Sequence, residues 1–137
     1  MRRLTALCLL AGLLSGCGGT ARDSSREFKG DERAVAAAVE GLENAARKGD
    51  RRRICRDLLA QSLLRSLHDA GTNCGRAVRA IKDVDSYDIT VDDVTVRGPQ
   101  ATAQVTSGSG KAEERDTLTL VREGTAWKIA SLGKGGA

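Results

Sequence analysis

Three aromatic residues serve the whole chain: Phe28, Tyr87 and Trp127. A core so short of rings has to be built from Leu, Val, Ile and Ala, and no aromatic ladder stands among the basic residues to stack on nucleic-acid bases. The single histidine, His68, excludes sites that need several imidazoles. No apolar run reaches the roughly 20 residues that a membrane-spanning helix requires. Nor does charge of one sign dominate. The formal balance of +4 falls to +2 without Arg2 and Arg3 (20 Lys and Arg against 18 Asp and Glu), too mild for a nucleic-acid partner.

What is present begins with a cationic start, Met1-Arg2-Arg3, and an apolar stretch from Leu4 to Leu14. A positive flank, a short apolar core and small residues after it have the form of a secretory signal. The stretch ends in Leu14-Ser15-Gly16-Cys17, which resembles the bacterial lipobox at every position. In that motif the Cys thiol takes a diacylglyceryl group and a peptidase cuts just before it. The resemblance implies that residues 1–16 are a signal peptide, that Cys17 is lipidated, and that the mature protein is membrane-anchored on the extracytoplasmic face of a bacterial cell membrane. Residues 17–30, polar and without periodicity, read as a flexible tether.

Four cysteines are then accounted for by role: Cys8 leaves with the signal, Cys17 takes the lipid, and Cys55 and Cys74 remain. In an exported protein the last two are expected as a disulfide, which would close a loop of about 20 residues and add about 3 kcal/mol. A reactive thiol is the alternative. One His and two Cys in this spacing do not suggest a metal site, and no cofactor is expected.

From Asp31 to Gly133 the chain reads as one α+β domain, followed by a disordered tail at 134–137. Asp31 is the expected N-cap of a helix with Val35, Val39, Leu42 and Ala46 on one stripe. Gly49 closes that helix and Asp50 caps the next, which carries Ile54, Cys55, Leu58 and Leu59. Ser62 is the expected cap of a third helix containing Leu63, Leu64 and Leu67, and Cys74 opens a fourth with Val78 and Ile81 inward. The period then changes to two. Tyr87, Ile89 and Val91 alternate, Val94 and Val96 alternate in the opposite phase, and Asp92-Asp93 reads as a β-bulge. Three more strands follow, marked by Ala101, Ala103 and Val105, by Leu118 and Leu120, and by Trp127 and Ile129. Helices packed on a bent antiparallel sheet of about four strands are the expected architecture.

The segments "AAVEGLENAARKGDRRRICRDLLAQSLLRSL", "ITVDDVTVRGPQATAQV" and "LTLVREGTAWKIASL" resemble the nuclear transport factor 2-like superfamily, and within it small actinobacterial lipoproteins. The resemblance implies a cone-shaped fold and a Cys55–Cys74 pairing. Enzymes of that superfamily, isomerases and cyclases, place a carboxylate base or a His-Asp dyad inside the cone. Here His68 sits beside Asp69 at an expected helix end, and the acidic string Asp83, Asp85, Asp88, Asp92 and Asp93 lacks calcium-loop spacing. No catalytic residue is assigned.

The candidate pocket is apolar: Leu58, Leu59, Leu63 and Leu67 from the helices, Val105, Leu118 and Trp127 from the strands, and Tyr87 as a polar handle. The basic residues Arg47, Lys48, Arg51, Arg52, Arg53 and Arg56 read as a solvated face or as a patch meeting anionic lipid or cell-wall polymer. The expected function is non-catalytic binding of a small apolar ligand or an envelope protein. An isomerase- or cyclase-like enzyme and a purely structural accessory are the alternatives.

Overall fold

The computed structural model describes residues 24–80, 88–108 and 113–133. The expected signal segment 1–16, Cys17, the expected tether as far as residue 23, Ile81, Asp83, Asp85, Tyr87 and the expected tail 134–137 lie outside the described residues. A 3-10 turn at Ser24–Glu27 leads into α1 (Gly30–Arg47), α2 (Arg51–Arg53), a π turn (Ile54–Leu58), α3 (Gln61–Asp69) and α4 (Cys74–Ala80). Four strands follow: β1 (Asp88–Arg97), β2 (Gln100–Gly108), β3 (Glu114–Glu123) and β4 (Ala126–Ser131). They form one antiparallel meander in the order β1-β2-β3-β4. This is the expected α+β architecture, helices first and sheet after.

α1 packs on the sheet through a wider face than the expected stripe. Val35, Ala36, Val39, Glu43 and Ala45 are buried, while Leu42 and Ala46 are only partly so. Its C-terminus closes as the sequence suggests. Gly49, at φ +64°, takes the left-handed conformation, its N–H donates to the Ala46 carbonyl, and the Asp50 N–H donates to that of Ala45. Asp50 then caps α2, accepting from the Arg53 N–H at 3.0 Å.

Two expected caps are corrected. α1 begins at Gly30, with Lys29 as its N-cap, and Asp31 lies in the first turn. Its carboxylate is taken instead by the Arg122 guanidinium at 2.5 Å. α3 begins at Gln61 rather than after Ser62, because Glu123 reaches across from the end of β3 and accepts from the Gln61 N–H at 2.7 Å. A cap from a residue 62 positions away does the work assigned to a neighbour.

The second helix also departs from a regular α-helix. The Leu59 N–H donates to the Ile54 carbonyl, a five-residue π spacing, and Leu59 then turns to extended geometry. The wide turn releases Leu59 and Ala60 to run alongside β4: Leu59 bridges Ile129 in parallel, and the Ala60 N–H donates to the Ile129 carbonyl at 2.8 Å. At the opposite edge, β1 carries the expected bulge. Val91 pairs with Val105 and Asp93 with Gln104, leaving Asp92 as the extra residue and restoring Val94 and Val96 to the inner side.

Cys55 in the π turn is disulfide-bonded to Cys74 at the start of α4, with Cα atoms 5.8 Å apart. The bond ties α4 to the body of the fold, since this short helix places no residue in the fully buried core. Replacing both cysteines by serine should cost about 3 kcal/mol in urea unfolding, the value expected for closing a loop of this length. A loss well under 1 kcal/mol would show that the helical layer holds without the bond.

Candidate functional site

Alternation along each strand puts one apolar surface toward the helices. Across it Val91 pairs with Val105, Val94 with Ala103, Ala101 with Leu120, and Leu120 with Ile129. Leu59, Val105, Leu118 and Trp127, four of the expected pocket residues, are buried within this one core. Leu58 and Leu63 are half-buried and pack against it. Leu67 is half-buried but stands outside the cluster, and Leu64 takes the place expected for it. Tyr87 lies outside the described residues. The structure therefore brings together most of the expected apolar set, on the face where helices and sheet meet.

Sequence reasoning did not find the polar groups bordering this face. Asp116 pairs with Val105 and shares its side of the sheet, because residues 116, 118 and 120 alternate in phase. Gly133, at φ +78°, lies so close to it that a Cβ there would collide with the Asp116 carboxylate. Only glycine lets the chain pass at that point. At the other end, the Arg122 guanidinium lies 4.8 Å from the Trp127 ring centroid and pairs with Asp31. One arginine thus links the start of α1 to the last hairpin.

A second polar group joins α1 to β1. Glu40 accepts from the Ser24 Oγ at 3.0 Å and from the Ser25 N–H at 2.7 Å, while the Ser24 Oγ accepts from the Val91 N–H at 3.3 Å. One turn further along, the buried Glu43 carboxylate accepts from the Ile89 N–H and stands 3.5 Å from Arg47. Arg47 also donates to Asp88 at 2.7 Å. Ser24 is therefore part of the fold, which is entered upstream of the expected boundary at residue 31.

The remaining candidates lie at the surface. His68 and Asp69 are exposed at the end of α3, 3.6 Å apart. Asp92 accepts from the Thr106 Oγ1 at 2.6 Å, and Asp93 is exposed. Among the described residues no group of three His, Cys, Asp or Glu side chains is placed to hold a metal ion, and no helix is long and apolar enough to cross a membrane. Arg47, Lys48, Arg51, Arg52, Arg53 and Arg56 are all exposed around the α1–α2 junction.

A family model described as "Putative lumazine-binding" matches residues 30–132, nearly the whole described fold. Domains of that family have the nuclear transport factor 2-like fold that the sequence resemblance implies. No curated protein matches the chain.

Burial raises the pKa of Glu43 above the ordinary carboxylate value, opposed by the Ile89 N–H and Arg47 and reinforced by Asp88 and Glu40. The folded state then holds this proton more tightly than the unfolded chain. Its contribution to stability is complete below the unfolded pKa and is lost as pH rises through the folded one. Glu43→Gln, which keeps an acceptor for Ile89, should gain on wild type in melting temperature as pH rises above the ordinary carboxylate value. A difference in melting temperature that stays constant over that range would contradict the raised pKa.

Proposed function

The chain belongs to the family described as putative lumazine-binding, and from that premise we propose that it is a non-catalytic binding protein for a small, largely apolar ligand. One observation carries the reading: Leu59 from the helical layer and Val105, Leu118 and Trp127 from three strands converge on a single apolar face within the matched span. Apolar walls bind by releasing water, at about 25 cal/mol per Å² buried, and orient a ligand with few polar groups. The half-buried Leu58 and Leu63 give that face an apolar lip. A planar heterocycle of the lumazine type suits a face that ends on Trp127 and Arg122, where ring and guanidinium already stack.

Asp116 supplies the isomerase-like alternative with its one specific observation, a half-buried carboxylate on the same side of the sheet as Val105. A base needs a clear line to its proton, however, and the backbone at Gly133 lies against this one. Binding is the better supported of the two.

We further propose that the protein works as an extracytoplasmic lipoprotein, anchored through a lipid on Cys17. The signal-like segment ending in Leu-Ser-Gly-Cys supports this, and the Cys55–Cys74 disulfide suits an oxidising compartment.

Trp127 is the only tryptophan, so its fluorescence reports on this face alone. Titration with a lumazine, and with a dodecyl alcohol as apolar comparator, should give a saturable change for at least one of them, with the probe recovered chemically unaltered. Val105→Phe should weaken that binding about tenfold while the domain still melts cooperatively. No saturable change with either probe would defeat the binding reading, and conversion of a probe that Asp116→Asn abolishes would favour the enzyme. For the anchor, Cys17→Ser should shift the protein from the membrane fraction to unprocessed or soluble forms. Normal processing with unchanged membrane partitioning would end that part of the proposal.

A further inference from the structure

The α1–α2 junction concentrates positive charge that the fold does not use. Arg47 is engaged by Glu43 and Asp88, and Arg56 by Asp57 at 3.1 Å. Lys48, Arg51, Arg52 and Arg53 are exposed and make no salt bridge among the described residues. Three of these four are consecutive and make up the whole of α2, directly after its cap Asp50. Asp50 is occupied in capping the Arg53 N–H, and Asp57, which is paired with Arg56, feels Arg53 only at a distance. No ion pair among the described residues engages these guanidinium groups, which leaves their charge available to a partner outside the chain.

We propose that the Arg51–Arg53 ridge, with Lys48 beside it, docks on the anionic phospholipid headgroups of a membrane surface. Guanidinium groups match phosphate oxygens with paired donors, and clustered cations beside a membrane gain from its negative potential within a Debye length. The position suits this. Ser24 is fixed to Glu40, which stands about 10 Å along α1 from its last residue, Arg47, at 1.5 Å per residue, and the basic cluster begins there. The seven steps from Cys17 to Ser24 span at most about 25 Å. An anchor at Cys17 therefore lets the ridge reach the headgroups. This reach rests on the lipoprotein reading, whereas the charge and exposure of the ridge do not.

The test measures partition of the full chain between buffer and vesicles of phosphatidylcholine, with and without 30 mol % phosphatidylglycerol. The ratio of the two partition coefficients cancels the apolar contribution of Cys17 lipidation and of the N-terminal segment, and Arg2 and Arg3 are the same in every variant, so failure of the anchor and failure of the ridge are read separately. Arg51→Gln, Arg52→Gln and Arg53→Gln combined should lower the preference for the anionic vesicles about tenfold or more. Lys29→Gln, Arg97→Gln and Arg115→Gln combined remove the same charge elsewhere and should leave most of it. Circular dichroism and melting temperature check that both variants fold. Equal losses in the two triple variants would reduce the effect to net charge and overturn the proposal. So would the absence of any anionic preference in the wild type, including the case in which the protein binds a soluble phosphate polymer of the cell-wall type but not the vesicles.

Discussion

An open sheet of four strands has two edges, and everything else in this fold depends on how their free amides are met. Unpaired edge groups invite other chains to add on, so an isolated meander of this kind is a hazard. At β1 the cover is made of side chains: Glu43 receives the Ile89 N–H, and Ser24, held by Glu40, receives that of Val91. At β4 the cover is backbone, supplied by Leu59 and Ala60 as they leave the π turn. Both covers come from the helical layer. The same residues that protect the sheet thereby fix where the helices lie on it, and so define the apolar face between them.

Much of this was legible in the sequence wherever the cause is local. The phase change between Val91 and Val94 announces the bulge at Asp92, because a strand that reverses its inward parity must spend one residue doing so. Gly49 and Asp50 name a helix end and a helix start by their own conformational preferences. Cys55 and Cys74 pair as expected. The failures share a different cause. Asp31 and Ser62 are reasonable caps by rank, yet Arg122 and Glu123, both from the end of β3, decide the matter from far along the chain. The π turn carries no signature in "RRRICRDLLA", since its reason is the edge of β4, which the helix cannot know locally. Asp116 escaped notice for a similar reason. It is one polar letter in "ERDTLTL", and its place on the inner face appears only once the register is set.

The scarcity of aromatics bears on function as well as packing. Trp127 is the only aromatic ring among the buried residues of the described core, with Phe28 half-buried against it, and it sits where the last hairpin, Arg122 and the start of α1 meet. The centre of the sheet is lined instead by Ala101 and Ala103, buried in the same core as Ala36 and Val39 of α1. Small side chains at the middle and a ring toward one end make the face graded rather than uniform. A ligand bound there would meet its bulkiest and most polarisable wall beside the Arg122 guanidinium.

The hydrogen bonds of Ser24 also decide how the domain carries force. Tension on the chain upstream enters neither at the free end of α1 nor at a strand terminus. It enters at Ser24, beside the middle of the helix, through bonds to Glu40 and Val91. The 3-10 turn Ser24–Glu27 is short, and its ties are a handful of polar contacts around the buried Ser24, so it should yield before the wider apolar contacts of Val35 and Val39 do. Under load the turn would peel away first and lengthen the leash by several residues, leaving the sheet and its helices in register. The N-terminal turn is in this sense a mechanical fuse, sacrificed before the fold it protects.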